Sequence, residues 1–113
     1  MLTIKNKTKK ITISKNAKLC KNIFSKTFGL MFSQKPKTMV FTFKEEKIVP
    51  LHMFFVFYPI DVLLLDKNKI VIEKKENFKP FSFYTPKRKA KYVIELPKDS
   101  IGKTEIGDKI KFD

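Results

Sequence analysis

Asp61 is a carboxylate set into an apolar run, Asp61-Val62-Leu63-Leu64-Leu65. At strand spacing it shares a face with Leu63 and Leu65, and an ionised carboxylate in such surroundings needs a partner. Two readings follow. In the first, Asp61 and His52, on a neighbouring strand, form the polar pair of a ligand pocket, with Lys26 near the end of a helix. In the second, Asp61 accepts backbone N–H groups and fixes the turn at Pro59, a common use of Asp. His52 is the sole histidine, and on an apolar strand a hydrogen-bonded structural imidazole is commoner than a ligand.

A second constellation lies between Phe81 and Tyr92, Phe-Ser-Phe-Tyr-Thr-Pro-Lys-Arg-Lys-Ala-Lys-Tyr. It interleaves aromatic rings that can stack on bases with cations that can follow phosphates, and Tyr84, Lys87, Arg88 and Lys89 are the candidate nucleic-acid contacts. The competing structural reading is a loop whose Phe81 and Phe83 cover the end of a barrel while the lysines face water.

Other chemistries are excluded by residue count. With one His and one Cys, a site needing two imidazoles or a Cys and His cluster cannot be built, so no metal is expected. No Ser sits in a nucleophile elbow, no glycine-rich phosphate loop is present and no carboxylates are paired as in a glycosidase. No catalytic residue and no cofactor are assigned, and a non-catalytic role is expected.

The chain is strongly basic, with a formal net charge of +14 over 113 residues. The asymmetry is sharper than the total: residues 1–44 carry eleven Lys and no acid, and the remainder carries 14 basic and 11 acidic residues. Such a field attracts polyanions, nucleic acid among them. Against that, 24 of the 25 basic residues are Lys, which also solvates surfaces and blunts strand edges, and only Arg88 offers a planar fork for bidentate phosphate contacts.

Length and a hydrophobic fraction of 42% suit a single domain spanning residues 1–113. The lone Cys20 fits a reducing compartment, and no apolar stretch of the signal-peptide kind opens the sequence, so a cytoplasmic address is expected. Residues 48–65 reach the length of a membrane helix, but Pro50, Pro59 and Asp61 interrupt them. Two buried strands are expected there, so no membrane span.

The elements that would position the candidates follow from periodicity. Leu2-Thr3-Ile4-Lys5 and Ile11-Thr12-Ile13-Ser14 alternate about a polar connection, which predicts a hairpin. After Ser14 and Asn16, Ala17, Cys20, Ile23, Phe24 and Thr27 recur at spacings of three and four before Gly29, which predicts one amphipathic helix over about 17–28, with Cys20 a small core residue on its apolar stripe. Further strands are expected at 39–43, 51–58, 61–65, 70–73, 91–96 and 109–112. The polar residues 74–89 suit a long ordered loop or a short edge strand, and 97–106 allows a helical turn.

Phe28-Gly29-Leu30-Met31-Phe32, Met39-Val40-Phe41, His52-Met53, Pro59-Ile60-Asp61, Leu65-Asp66, Tyr92-Val93-Ile94-Glu95-Leu96 and Gly107-Asp108 occur in this order from about Lys18 to Phe112. In this the chain resembles domain of unknown function 192 (DUF192). The resemblance implies a compact barrel-like α+β arrangement with one main helix, in a family without an assigned activity. Where the family has Trp-Met followed by a basic residue, Asn and Thr, this sequence has His52-Met53-Phe54-Phe55-Val56, and the usual Arg pair before Gly-Leu-Met is replaced by Lys26 and Phe28. A ligand site built from those polar groups is therefore not carried over.

The expected fold is α+β and mainly β: a small barrel-like or strongly curved mixed or antiparallel sheet with the one helix. The expected function is a small non-catalytic binding module with its ligand at the mouth between helix and sheet. The alternative is a nucleic-acid-associated protein using the 81–92 loop and the N-terminal lysines.

Overall fold

Wherever apolar and polar residues alternate, the chain is extended. The computed structural model describes residues 2–20, 37–53 and 56–113. Within them the strands are β1 (Leu2–Asn6), β2 (Ile11–Cys20), β3 (Met39–Lys47), β4 (Leu51–His52), β5 (Ile60–Leu65), β6 (Val71–Phe78), β7 (Phe83–Tyr84), β8 (Ala90–Pro97) and β9 (Ile110–Phe112). β1 and β2 form the expected hairpin, with Asn6 opposite Ile11.

The helix expected over 17–28 is corrected. Ala17 to Cys20 continue β2, and no helix occurs among the described residues; residues 21–28 lie outside them. The fold among the described residues is therefore all-β, not α+β. Backbone pairing explains the misreading: Ala17 pairs with Leu2, and Lys18, Leu19 and Cys20 pair in parallel with Met39, Val40 and Phe41. Residues three apart share a helix face but sit on opposite faces of a strand. Ala17 accordingly enters one apolar cluster and Cys20 the other, and two buried residues three apart on opposite faces mimic helical spacing.

Seven strands form one sheet in the order β6-β5-β8-β3-β2-β1-β9, and β4 and β7 form a separate two-stranded ribbon. The large sheet curls until its edges meet. Ile70 bridges Lys109, the Val71 N–H donates to the Asp108 carbonyl at 2.9 Å, and the Ile110 N–H donates to the Lys69 carbonyl at 2.9 Å. The result is a half-barrel closed at a short seam. Gly107 takes φ +98° at this seam, a conformation that favours glycine, and its N–H reaches the Val71 carbonyl at 2.8 Å.

Two cores sit on the two faces of this sheet. Ile4, Ala17, Val40, Leu63, Leu65, Val71, Ile94, Leu96 and Ile110 come from every strand of the sheet and fill its concave side. Val62, Leu64, Phe41, Val93 and Phe78 pack on the convex side, where Leu51, Met53 and Val56 cover them. β5 is thus buried on both faces, which is why its sequence reads as an almost unbroken apolar run. Truncating Leu63 to Ala would cost about 2–5 kcal/mol.

Other expectations shift. Of the strand expected over 51–58, the described residues show only β4, two residues long and part of the ribbon. Lys74 to Phe78, expected in a long loop or a short edge strand, extend β6, whose charged side chains sit at a sheet edge. Where the sequence allows a helical turn over 97–106, Pro97 ends β8 and residues 98–106 form turns and bends with no helix. No helix among the described residues is long and apolar enough to cross a membrane.

Candidate functional site

The ribbon has an inner and an outer face. Leu51 pairs with Tyr84 and His52 with Phe83. Leu51 is buried and Tyr84 packs against the convex core, its ring 6.4 Å from that of Phe78 in an edge contact. Alternation then turns His52 and Phe83 outward, where His52 is half-buried and Phe83 is 66% exposed. The backbone extends this pairing: the Met53 N–H donates to the Ser82 carbonyl at 2.9 Å and the Phe81 N–H to the Met53 carbonyl at 2.8 Å. Phe81 is 49% exposed, and its ring meets that of Phe57, 62% exposed, edge-on at 5.4 Å. Three solvent-facing phenylalanines therefore line one short stretch of surface.

Shortly after β7 in the chain comes the basic turn Lys87-Arg88-Lys89, exposed throughout and flanked by buried Pro86 and Ala90. Glu73 on β6 holds it. One carboxylate oxygen accepts the Lys87 N–H at 3.1 Å and the Arg88 N–H at 3.3 Å, and the other accepts the Tyr84 hydroxyl. The hydrogen bond to Glu73, then burial and the charge of Glu73, push the Tyr84 hydroxyl up to about 12. Lys75, on the same face of β6, places its ammonium 5.3 Å from the Tyr84 ring centre. Tyr84, Lys87 and Arg88 are thus brought to one carboxylate.

Asp61 stands elsewhere. It is 2% exposed on β5, on the face of Leu63 and Leu65. Its Oδ1 accepts the Asn77 N–H and its Oδ2 the Asp99 N–H, each at 2.9 Å. Asn77 and Asp99 both have positive φ, 50° and 66°, so the carboxylate fixes an irregular residue near the end of β6 and the turn after β8 in conformations that most residues avoid. These are not the Pro59 turn. His52, on the outer ribbon, is not brought to Asp61, and Lys26 lies outside the described residues.

The sequence did not single out Phe57, Glu73 or a third acidic centre. Asp108 is buried at the seam and accepts Asn6 Nδ2 at 2.9 Å, the Glu105 N–H at 2.9 Å and Lys9 Nζ at 3.1 Å. Asn6 Nδ2 also donates to Thr104 Oγ1 at 3.0 Å, and Asn6 Oδ1 accepts the Lys9 N–H at 3.0 Å. Burial pushes the Asp108 carboxyl up, but hydrogen bonds from Asn6, Glu105 and Lys9 outweigh it and hold the group below the ordinary carboxylate range. Lys9 is raised in turn by its hydrogen bonds to Asp108 and Glu105. Asp108 was legible only as half of a Gly-Asp pair, without its partners.

The same seam lies near the end of a match that spans nearly the whole chain: the model of DUF192, described as "Uncharacterized ACR", fits residues 2–112. This chain belongs to the DUF192 family. It is 35% identical to a UPF0127 protein of Pyrococcus horikoshii over 96% of this chain and 97% of that one, and 31% identical to a UPF0127 protein of Pyrococcus abyssi over 99% and 98%. Among solved structures, a "putative transcription regulator" from Sinorhizobium meliloti superposes with a TM-score of 0.83 at 21% identity, covering 98% of this chain and 91% of that chain. A protein of unknown function from Novosphingobium aromaticivorans gives a TM-score of 0.83 at 16% identity, covering 97% and 82%. At those identities the likeness is one of fold. The curled sheet is thus an arrangement that this DUF192 member shares with distant sequences.

Proposed function

We propose that this DUF192 protein is a binding module that takes single-stranded nucleic acid across the outer face of the β4–β7 ribbon and the adjoining basic turn. The observation that carries this reading is the exposure of Phe57, Phe81 and Phe83 on and next to the ribbon together with the exposed Lys87-Arg88-Lys89 turn, which Glu73 links to β7 through Tyr84. Exposed rings offer stacking area worth about 1–3 kcal/mol per base, and neighbouring cations gain affinity by releasing counterions from phosphates. The small-ligand reading has less support, because both oxygens of Asp61 already accept backbone N–H groups. The buried, free Cys20 fits a reducing compartment, and a cytoplasmic address is part of the proposal.

Fluorescence anisotropy with a labelled single-stranded oligonucleotide tests it. Affinity should fall steeply between low and moderate salt. Phe83→Ala should weaken binding about tenfold at every salt concentration, within the range expected for one lost stack. Lys87→Ala with Arg88→Ala should reduce the salt slope by about 1.4, two phosphate contacts on a single strand. Absence of binding at low salt, or binding indifferent to these substitutions, overturns the proposal.

A further inference from the structure

Resting on that reading, we propose that Glu73 is a positioning residue for nucleic-acid binding: its negative charge strengthens the grip on a polyanion by ordering the cations that touch it. Charge alone argues the opposite. A carboxylate beside Lys87, Arg88 and Lys89 lowers the local positive potential, and its removal would raise affinity for phosphates.

The geometry explains why the carboxylate is there. Its two oxygens gather three donors from one short segment: the hydroxyl of Tyr84 in β7 and the backbone N–H groups of Lys87 and Arg88. Hydrogen bonds to an ionised acceptor are about twice as strong as neutral ones. Glu73 engages the backbone of the turn and not its ammonium or guanidinium groups, so the side chains of Lys87 and Arg88 remain exposed. The same carboxylate ties β7, which carries exposed Phe83, to the turn. Stacking ring and cations are thereby held at a fixed offset, with buried Pro86 and Ala90 flanking the turn. Ordering the turn before binding removes an entropy cost that a loose loop would meet on contact.

Glu73→Gln tests this, because it removes the charge with little change in shape. Positioning predicts oligonucleotide binding about five- to twentyfold weaker, with the salt slope reduced by about 0.7–1.4 as one or two phosphate contacts are lost. Charge alone predicts equal or tighter binding, and that result overturns the inference. A role confined to stability would lower the thermal midpoint and leave the salt slope of the folded protein unchanged, which also overturns it. If Glu73→Gln fails to fold, Glu73→Asp keeps the charge and draws the carboxylate back by one methylene. Weaker binding with a reduced slope is then expected, and unchanged binding refutes the positioning role. The two proposals fail separately: a wild-type protein that binds no oligonucleotide defeats the function, whereas one that binds through Phe83 but ignores Glu73 defeats the positioning role alone.

Discussion

Asp108 and Glu73 are both carboxylates surrounded by donors, but they serve opposite ends of the molecule's behaviour. Asp108 is buried, and two of its three donors are the side chains of Asn6 and Lys9, about a hundred residues away in sequence. It therefore ties the first strand to the C-terminal turn and helps to close the half-barrel. Glu73 is half-buried, and its donors lie 11 to 15 residues away on an exposed segment. It shapes a surface without closing anything. The origin of its donors separates a carboxylate that holds the fold from one that arranges a face: distant and buried in the first case, local and solvent-facing in the second.

The comparison breaks most readily at Asp108. Asp108→Ala should destabilise the protein by about 2–4 kcal/mol, because it leaves one hydrogen of the buried Asn6 amide and the Glu105 N–H without an acceptor. Equilibrium urea unfolding at neutral pH measures this. Oligonucleotide binding by the folded fraction should be unchanged. If Asp108→Ala weakens binding as strongly as Glu73→Gln, the division between the two carboxylates is lost.

Acid provides a smaller version of the same test. The folded-state pKa of Asp108 is depressed, so its contribution to stability is present above the ordinary Asp value of about 3.9 and is lost as pH falls through the folded value. Lys9 has the opposite sign: its folded value is raised, so its contribution is present below the ordinary lysine range and is lost as pH rises through the folded value. The seam is thus fully formed across neutral pH. Urea midpoints followed downward from pH 6 should fall below about pH 4, and Asp108→Asn should flatten that part of the profile. A profile identical in wild type and Asp108→Asn would remove Asp108 from the acid transition.

Much of the sheet could be read directly from residue types. Alternation located β1, β2, β3 and β8, and the apolar run of β5 announced a strand covered on both sides. The end of β2 could not be read, because residues buried alternately in two cores copy the spacing of an amphipathic helix. β6 was legible only in its first half, because at a sheet edge Lys74 to Asn77 are as polar as a loop. The candidate site was legible as a composition, aromatics beside cations from Phe81 to Tyr92. Its organising residue was not. Glu73 looks like any outward-facing acid until the packing of the ribbon brings Tyr84 and the turn to it. Asp61 was legible as a buried carboxylate needing partners, and its actual partners, the N–H groups of Asn77 and Asp99, depend on how β6 and β8 end.

Surface charge near the seam sharpens the comparison at its weakest point. Lys5 and Asp113 approach to 3.7 Å with both side chains well exposed, and Asp113 is shared with Lys111 at 3.5 Å. Exposed pairs of this kind are screened and contribute little. The backbone beside them already joins the strands, since the Thr3 N–H donates to the Asp113 carbonyl and the Asp113 N–H to the Thr3 carbonyl, each at 2.9 Å. Lys5→Ala should therefore change stability by no more than about 0.5 kcal/mol, an effect that moderate salt erases. The loss in Asp108→Ala should survive the same salt, because buried hydrogen bonds are screened much less. If Lys5→Ala instead cost as much as Asp108→Ala, surface charge would be closing the half-barrel.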